Sequence, residues 1–99
     1  MRVFINPQIM DLIPAYLIRR GEDLKRLQQF IEIEDFKSIE GLGHKLGGSG
    51  GTFGFAAISK VGTDLEAAAL GRNISKIREH VQELSEYLAN VHVCREGEI

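Results

Sequence analysis

Several absences narrow the class of protein to which this sequence can belong. A single cysteine, Cys94, excludes an internal disulfide and a cysteine-based zinc site. No apolar run exceeds four residues, which is too short for a transmembrane helix. The start carries no apolar stretch with a small-residue cleavage site, so no signal peptide is predicted. The 12 basic residues are matched by 14 acidic ones, which leaves no basic footprint for nucleic acid. We expect a soluble, cytoplasmic protein that binds neither nucleic acid nor membrane.

The length and composition are those of one small globular domain. The chain has 99 residues, of which 43% are hydrophobic and 26% charged. This balance argues against disorder, and the length leaves no room for a second core. We therefore treat residues 1–99 as a single domain.

Apolar residues recur at helical spacing in four segments, and no run of alternating β-branched residues stands out. The clearest stripe follows Asn73, a natural N-cap, and consists of Ile74, Ile77, Val81, Leu84, Leu88 and Val91. Gly71 stands where the preceding helix needs a left-handed residue to end. The spacing predicts main helices over 14–32, 36–52, 55–70 and 73–93, with a short helix over 7–12.

The connections between these helices are only a few residues long. Short links favour antiparallel neighbours, so the predicted fold is all-α, an up-down-up-down four-helix bundle with a short extra N-terminal helix.

The second main helix contains an anomaly, because residues 41–54 hold seven of the chain's 11 glycines. Each glycine inside a helix costs about 0.5–1 kcal/mol relative to alanine. A domain stable by about 5–15 kcal/mol does not carry that cost without compensation. The compensation is either close backbone packing, which suits Gly43 and Gly50 on the core side, or function.

His44 lies on the face of this helix that points away from the core. On a helical wheel with Phe36 at 0°, the core residues cluster near about 270° and His44 falls at about 80°. Four glycines surround it on the wheel: Gly41, Gly47, Gly48 and Gly51. Such an imidazole is open to approach by another protein, although a lone exposed histidine is more commonly just a solvated side chain.

The same glycines do not match the sequence motifs of phosphate-binding loops. A Walker A loop needs Gly-Lys-Ser/Thr, and the chain has no Gly-Lys pair. The spacing G-x-G-x-x-G fails as well, and no strand is predicted before the segment. Nucleotide binding is therefore set aside.

The motif resembles that of the histidine-containing phosphotransfer (HPt) domains of bacterial phosphorelays. The family pattern is roughly His-x-Leu-Lys-Gly-Ser, then about four residues, then Gly followed by a small or apolar residue. This chain matches it at His44, Leu46, Gly48, Ser49 and Gly54. The similarity extends upstream to Leu12-Ile13-Pro14 and downstream to Leu65-Glu66-Ala67-Ala68, and so covers nearly the whole chain.

The resemblance implies a phosphocarrier without kinase activity of its own. His44 would accept a phosphoryl group from the aspartyl phosphate of one receiver domain and pass it to another. The partners implied are response-regulator receiver domains and a hybrid histidine kinase. The receiver would supply Mg²⁺, so this chain is expected to bind no cofactor. We expect a monomer.

Individual residues take roles from this resemblance and from the wheel. Gly48 would keep the receiver's acidic pocket clear of a side chain. Ser49, which points away from His44, is expected to make a local backbone hydrogen bond.

One departure from the family pattern concerns the lysine three residues after the histidine, which is Gly47 here. The candidates to stabilise the phosphoryl oxygens in its place are Lys45, about 100° round the helix, and Lys37, about 10 Å along it. If neither does so, phospho-His44 should turn over faster.

Other polar residues receive structural interpretations. No two histidines are four residues apart, so no metal site is predicted. Glu66 and Asp64 fall beside their helix's core stripe without an evident partner, which makes general acid–base catalysis a poor hypothesis.

Two alternatives to the phosphorelay reading stay open. The bundle could be an interaction module that docks receiver or kinase domains without being phosphorylated, which the missing lysine favours. The chain could also be a fragment of a larger histidine kinase.

Overall fold

The computed structural model describes residues 2–95 and residue 97, and most of that chain is helical. Four helices form the bundle: α1 (Ile13–Glu32), α2 (Phe36–Thr52), α3 (Ala56–Leu70) and α4 (Ile74–Asn90). A 3₁₀ helix, Pro7–Leu12, precedes α1, and strands β1 (Arg2–Ile5) and β2 (His92–Arg95) flank the helices. The predicted all-α four-helix bundle with a short N-terminal helix is confirmed. Residues 1, 96, 98 and 99 of the predicted domain lie outside the described part.

Side-chain caps fix where the helices begin. Asp35 Oδ1 accepts a hydrogen bond from the Ser38 backbone N–H at 3.1 Å, and Asn73 does the same for Lys76. The Ser38 hydroxyl also donates to Asp35 Oδ2 at 2.6 Å. These bonds, that of the hydroxyl first, lower the pKa of Asp35 below its ordinary 3.8 because they stabilise the carboxylate. Helices α2 and α4 therefore start from sequence-encoded signals.

The left-handed residues between the helices are not all glycines. The prediction that Gly71 takes this conformation was wrong, because its φ is −82° and the left-handed residue is Arg72, at φ 52°. Glu34 plays the same part between α1 and α2, at φ 51°. Between α2 and α3 the residue is Gly54, at φ 88°. A side chain is strained in this region, so only the turn between α2 and α3 uses glycine, the residue that adopts it without strain.

The core runs the length of the bundle, and all four helices contribute to it. The described chain measures 43 × 20 × 18 Å. Its largest fully buried side chains are Phe55, Ile5, Leu27, Ile39, Leu46, Ile58, Leu65, Ile77 and Leu84.

No helix of the described chain is long and apolar enough to cross a bilayer.

Helices α2 and α3 approach each other more closely than ordinary side chains would permit. A Cβ atom on Gly62 of α3 would lie 2.6 Å from the Gly43 carbonyl oxygen and closer still to the Gly47 backbone nitrogen. A Cβ on Gly50 would lie 2.8 Å from the Phe55 carbonyl oxygen. The close packing proposed for Gly43 and Gly50 is confirmed, and it fixes the position of α3 beside His44.

The chain ends form a small parallel sheet that sequence patterning did not predict. Strand β1 pairs with β2 in the register Arg2–His92 to Ile5–Arg95. The predicted extension of the last helix to residue 93 was wrong, because α4 ends at Asn90. Val91 continues the helical stripe in the sequence, but its ψ of 134° is extended, and the next residues pair with β1. Each residue of β1 pairs with the residue 90 positions later in the chain, so local spacing could not reveal the sheet.

Candidate functional site

His44 projects from the middle of α2 into solvent. Its side chain is 77% exposed, as the helical wheel predicted. The neighbouring core positions of the helix, Leu42 and Leu46, anchor α2 in the bundle on the opposite side. A rigid, two-sided helix thus presents an accessible imidazole.

The imidazole of His44 is held by a carboxylate from the neighbouring helix. His44 Nδ1 lies 3.1 Å from Glu66 Oε2, and the Glu66 side chain is 31% exposed. A carboxylate at Nδ1 favours the tautomer that carries its proton there, which leaves the Nε2 lone pair free. The structure thus pairs His44 with a residue for which the sequence showed no partner. The only signal was its place in the segment Leu65-Glu66-Ala67-Ala68.

Three glycines leave the face around His44 bare. A Cβ atom added to Gly41, Gly48 or Gly51 would meet nothing within 4 Å apart from the helix's own backbone. The prediction of open space around the imidazole is confirmed for these three positions. A partner can therefore approach α2 closely beside His44.

Gly47 belongs to a different environment from the one the wheel assigned to it. A Cβ atom there would lie 3.1 Å from Thr63 Oγ1 and 3.6 Å from the Thr63 backbone nitrogen, both on α3. Its carbonyl oxygen also accepts a hydrogen bond from the Ser59 hydroxyl. Gly47 therefore lines the α2–α3 contact instead of the open face, because α3 packs closely enough to cover this side of α2.

Ser49 makes contacts between helices where a local backbone bond was expected. Its Oγ accepts a hydrogen bond from Arg20 Nη1 at 3.2 Å and lies 3.3 Å from the Tyr16 hydroxyl. The Arg20 guanidinium also stacks over the Tyr16 ring, 4.6 Å from its centroid. The expectation of a local bond was wrong, since α1 places polar partners within reach of Ser49.

The other motif residues divide between scaffold and surface. Leu46 is 1% exposed and belongs to the core. Gly54 forms the left-handed turn after α2, where a Cβ atom would lie 3.2 Å from Ile5 Cδ1. Lys45 and Lys37 are both exposed on α2. Lys45 borders a groove between α1 and α2, which places it beside His44 on the side opposite to Glu66.

The site has no cluster of ligands for a metal. Within residues 2–95, no three His, Cys, Asp or Glu side chains come together in a way that could hold an ion. What the geometry offers is a nucleophilic nitrogen, a carboxylate that orients it, and an unobstructed approach.

Comparison with protein families agrees with this geometry. A family model described as the Hpt domain matches residues 11–93, most of the chain. The chain belongs to the Hpt domain family. Comparisons with curated proteins and with solved structures gave no match. Hpt domains are phosphocarriers of two-component signalling that interact with receiver domains and kinases, and the chain has a phosphotransfer role of this general kind.

Strand β1 lies wholly outside the matched residues, since it ends at Ile5. Strand β2 begins inside the matched residues, at His92, so the family model covers only part of the terminal sheet.

Proposed function

We propose that this domain is a phosphorelay carrier that accepts a phosphoryl group on His44 Nε2 from the aspartyl phosphate of a receiver domain and delivers it to another receiver. The observation that carries the proposal is the exposed imidazole whose Nδ1 lies 3.1 Å from Glu66. Neutral imidazole is a good nucleophile, and the tautomer protonated at Nδ1 leaves the Nε2 lone pair free to attack phosphorus.

The transfer step requires little of this chain beyond position. Nε2 attacks phosphorus in line, the N–P bond forms, and the acyl phosphate P–O bond breaks to release the aspartate carboxylate. The product ring bears a positive charge while Nδ1 keeps its proton, and the Glu66 carboxylate stabilises that charge. The Mg²⁺ that neutralises the phosphoryl oxygens belongs to the receiver in this proposal, and the carrier has no kinase activity.

Two lysines are candidates to replace the positive charge absent at Gly47. Lys45 and Lys37 are both on α2 and exposed; Lys45 directly follows His44, and Lys37 lies about two turns away. If either one holds the phosphoryl oxygens, its alanine variant should shorten the lifetime of phospho-His44. Unchanged lifetimes in both variants would leave stabilisation to Glu66 and solvent alone.

The principal experiment follows label from a phosphorylated receiver to this domain. Wild type should acquire an acid-labile, base-stable label, and His44→Gln should acquire none. Label on the variant would place the acceptor elsewhere. Binding without any label would favour the second candidate function, a non-phosphorylated docking module, which the absence of a lysine at position 47 supports.

The role of Glu66 can be tested with an internal control. The variant Glu66→Gln keeps the shape but loses the charge, so transfer should slow by about tenfold, or about 1.4 kcal/mol. Glu83→Gln is the matched control, because Glu83 Oε1 also lies 3.1 Å from a histidine Nδ1, that of His80 on α4. Equal rates for the two variants would remove Glu66 from the mechanism.

A further inference from the structure

A groove lined by both charged and apolar side chains runs between α1 and α2, next to the face of α2 that carries His44. Two adjoining depressions of about 230 and 240 Å³ share the lining residues Arg26, Leu42 and Lys45. One extends toward Ser38 and the other toward Ser49. The shared residues place the two depressions side by side along α2, and we call them together the α1–α2 groove.

The charge of this groove is opposite to that of the whole chain. Its lining includes three basic side chains, Arg20, Arg26 and Lys45, and one carboxylate, Asp23. These side chains give the groove a net charge of about +2, whereas the whole chain has a formal net charge of −2. Asp23 is 8% exposed, so its charge is largely removed from the surface. An acidic protein has therefore concentrated positive charge at one place.

Asp23 neutralises one of the three cations more than the others. Asp23 Oδ2 lies 2.8 Å from Arg20 Nε and forms an ion pair with it, although the geometry is not that of a hydrogen bond. Arg20 also donates a hydrogen bond to Ser49 Oγ. Asp23 Oδ1 lies 3.8 Å from Arg26 Nη1, and the Arg26 side chain is 57% exposed. An exposed pair at that distance is weak, so Arg26 keeps most of its capacity to bind another carboxylate.

Lys45 has no such neighbour within the described chain. None of the ion pairs among residues 2–95 includes it. It directly follows His44, so the groove continues the surface that a phosphotransfer partner must cover. Leu42 and Leu46 form an apolar floor beneath these charges.

We propose that the α1–α2 groove docks an acidic segment of the receiver domain, with Arg26 and Lys45 binding its carboxylates while His44 meets the phosphorylated aspartate. This inference rests on the proposed function. Opposite charges at the edge of an interface accelerate association and are screened by salt, so the groove would act mainly on the rate of encounter.

The experiment compares two phosphate donors on the same variants. Arg26→Glu should slow transfer from the phosphorylated receiver about tenfold at low salt, and the difference should shrink at high salt. Labelling of His44 by phosphoramidate, which needs no docking, should stay at the wild-type rate. Lys25→Glu is the matched control: it makes the same charge change one residue earlier on an exposed position about 100° round α1. It should alter receiver transfer less than twofold.

Several outcomes would overturn the inference. Equal receiver rates for Arg26→Glu and Lys25→Glu would do so, as would a salt-independent loss. If Arg26→Glu also impairs phosphoramidate labelling, the milder variant Arg26→Gln is used to separate a docking defect from a general defect. A receiver-specific loss in that variant supports docking, and a shared or absent loss refutes it.

The proposed function can fail separately from this inference. If neither donor labels wild type, His44 is not a phosphoacceptor, and the groove is then tested by titration of the receiver. Weaker binding by Arg26→Glu than by Lys25→Glu would still support the docking surface, and equal binding would refute it.

Discussion

The glycines of α2 form two sets that face opposite kinds of surroundings. Gly43 and Gly50 lie where the backbone of α3 occupies the space of a side chain, at 2.8 Å or less from an added Cβ atom. Gly41, Gly48 and Gly51 lie on the other side, where that atom would meet nothing within 4 Å. One set closes a helix–helix contact and the other keeps a surface bare.

The two sets explain how one helix tolerates so many glycines. Close packing with α3 compensates the first set with buried contacts, and it brings Glu66 to His44. The second set has no compensation in the folded chain, so its cost in helix propensity remains. This cost in helix propensity is explained if a partner protein binds the bare surface.

The largest expected effect comes from closing the packed side. Gly50→Ala should lower the free energy of unfolding by about 2 kcal/mol, because the new methyl group must displace the backbone of α3. Urea denaturation measures this change. Gly51→Ala, the adjacent open position, is the control and should show no loss. If both variants were equally stable, the packed set would not require glycine.

The next effect has the opposite sign and separates stability from function. Gly48→Ala should raise the free energy of unfolding by about 0.5–1 kcal/mol, the gain in helix propensity. It should also slow transfer from a phosphorylated receiver severalfold, because the methyl group stands on the proposed docking face. Gly21→Ala on α1, where an added Cβ also meets nothing within 4 Å, is the control. Equal transfer rates for both variants would show that the bare surface has no such use.

Gly47 lies between the two sets, and its effect should be smaller. Gly47→Ala should cost less than about 1 kcal/mol, because the nearest atom to its new methyl group is a side-chain hydroxyl, Thr63 Oγ1. In a double-mutant cycle with Thr63→Ala, measured by urea denaturation, that cost should disappear. An undiminished cost would indicate that backbone contacts, not Thr63, require glycine.

The smallest effect compares the starts of α2 and α4, which are capped by Asp35 and Asn73. Because the pKa of Asp35 is lowered on folding, its contribution is fully present above the ordinary value of 3.8 and is lost as the pH falls through the folded value. Thermal unfolding at pH 7 and pH 3 should show wild type losing stability relative to Asp35→Asn, which caps without titrating. Asn73→Asp is the reciprocal variant and should introduce a pH dependence of the same sign but smaller size at α4, because Lys76 donates its backbone N–H to the cap and has no hydroxyl.

The helices were predictable from sequence because their signals are local. The apolar stripes and the caps at Asp35 and Asn73 lie within a few residues of the structure that they specify, so predicted helix starts fall within one residue of those observed. The exposure of His44 followed from the same periodicity. The pairing of β1 with β2 was not predictable in this way, because each strand has only four residues and its partner lies at the opposite end of the chain.

Sequence alone determined the four-helix bundle, from helical periodicity and short connections. The same periodicity determined the outward direction of His44 and the open space at Gly41, Gly48 and Gly51. The tertiary structure decided the partners: Glu66 for His44, Arg20 and Tyr16 for Ser49, and α3 for Gly47. These depend on how far apart two helices pack and how they slide along each other. That distance and register are set by the sum of many contacts across the core, which no single segment of the sequence contains.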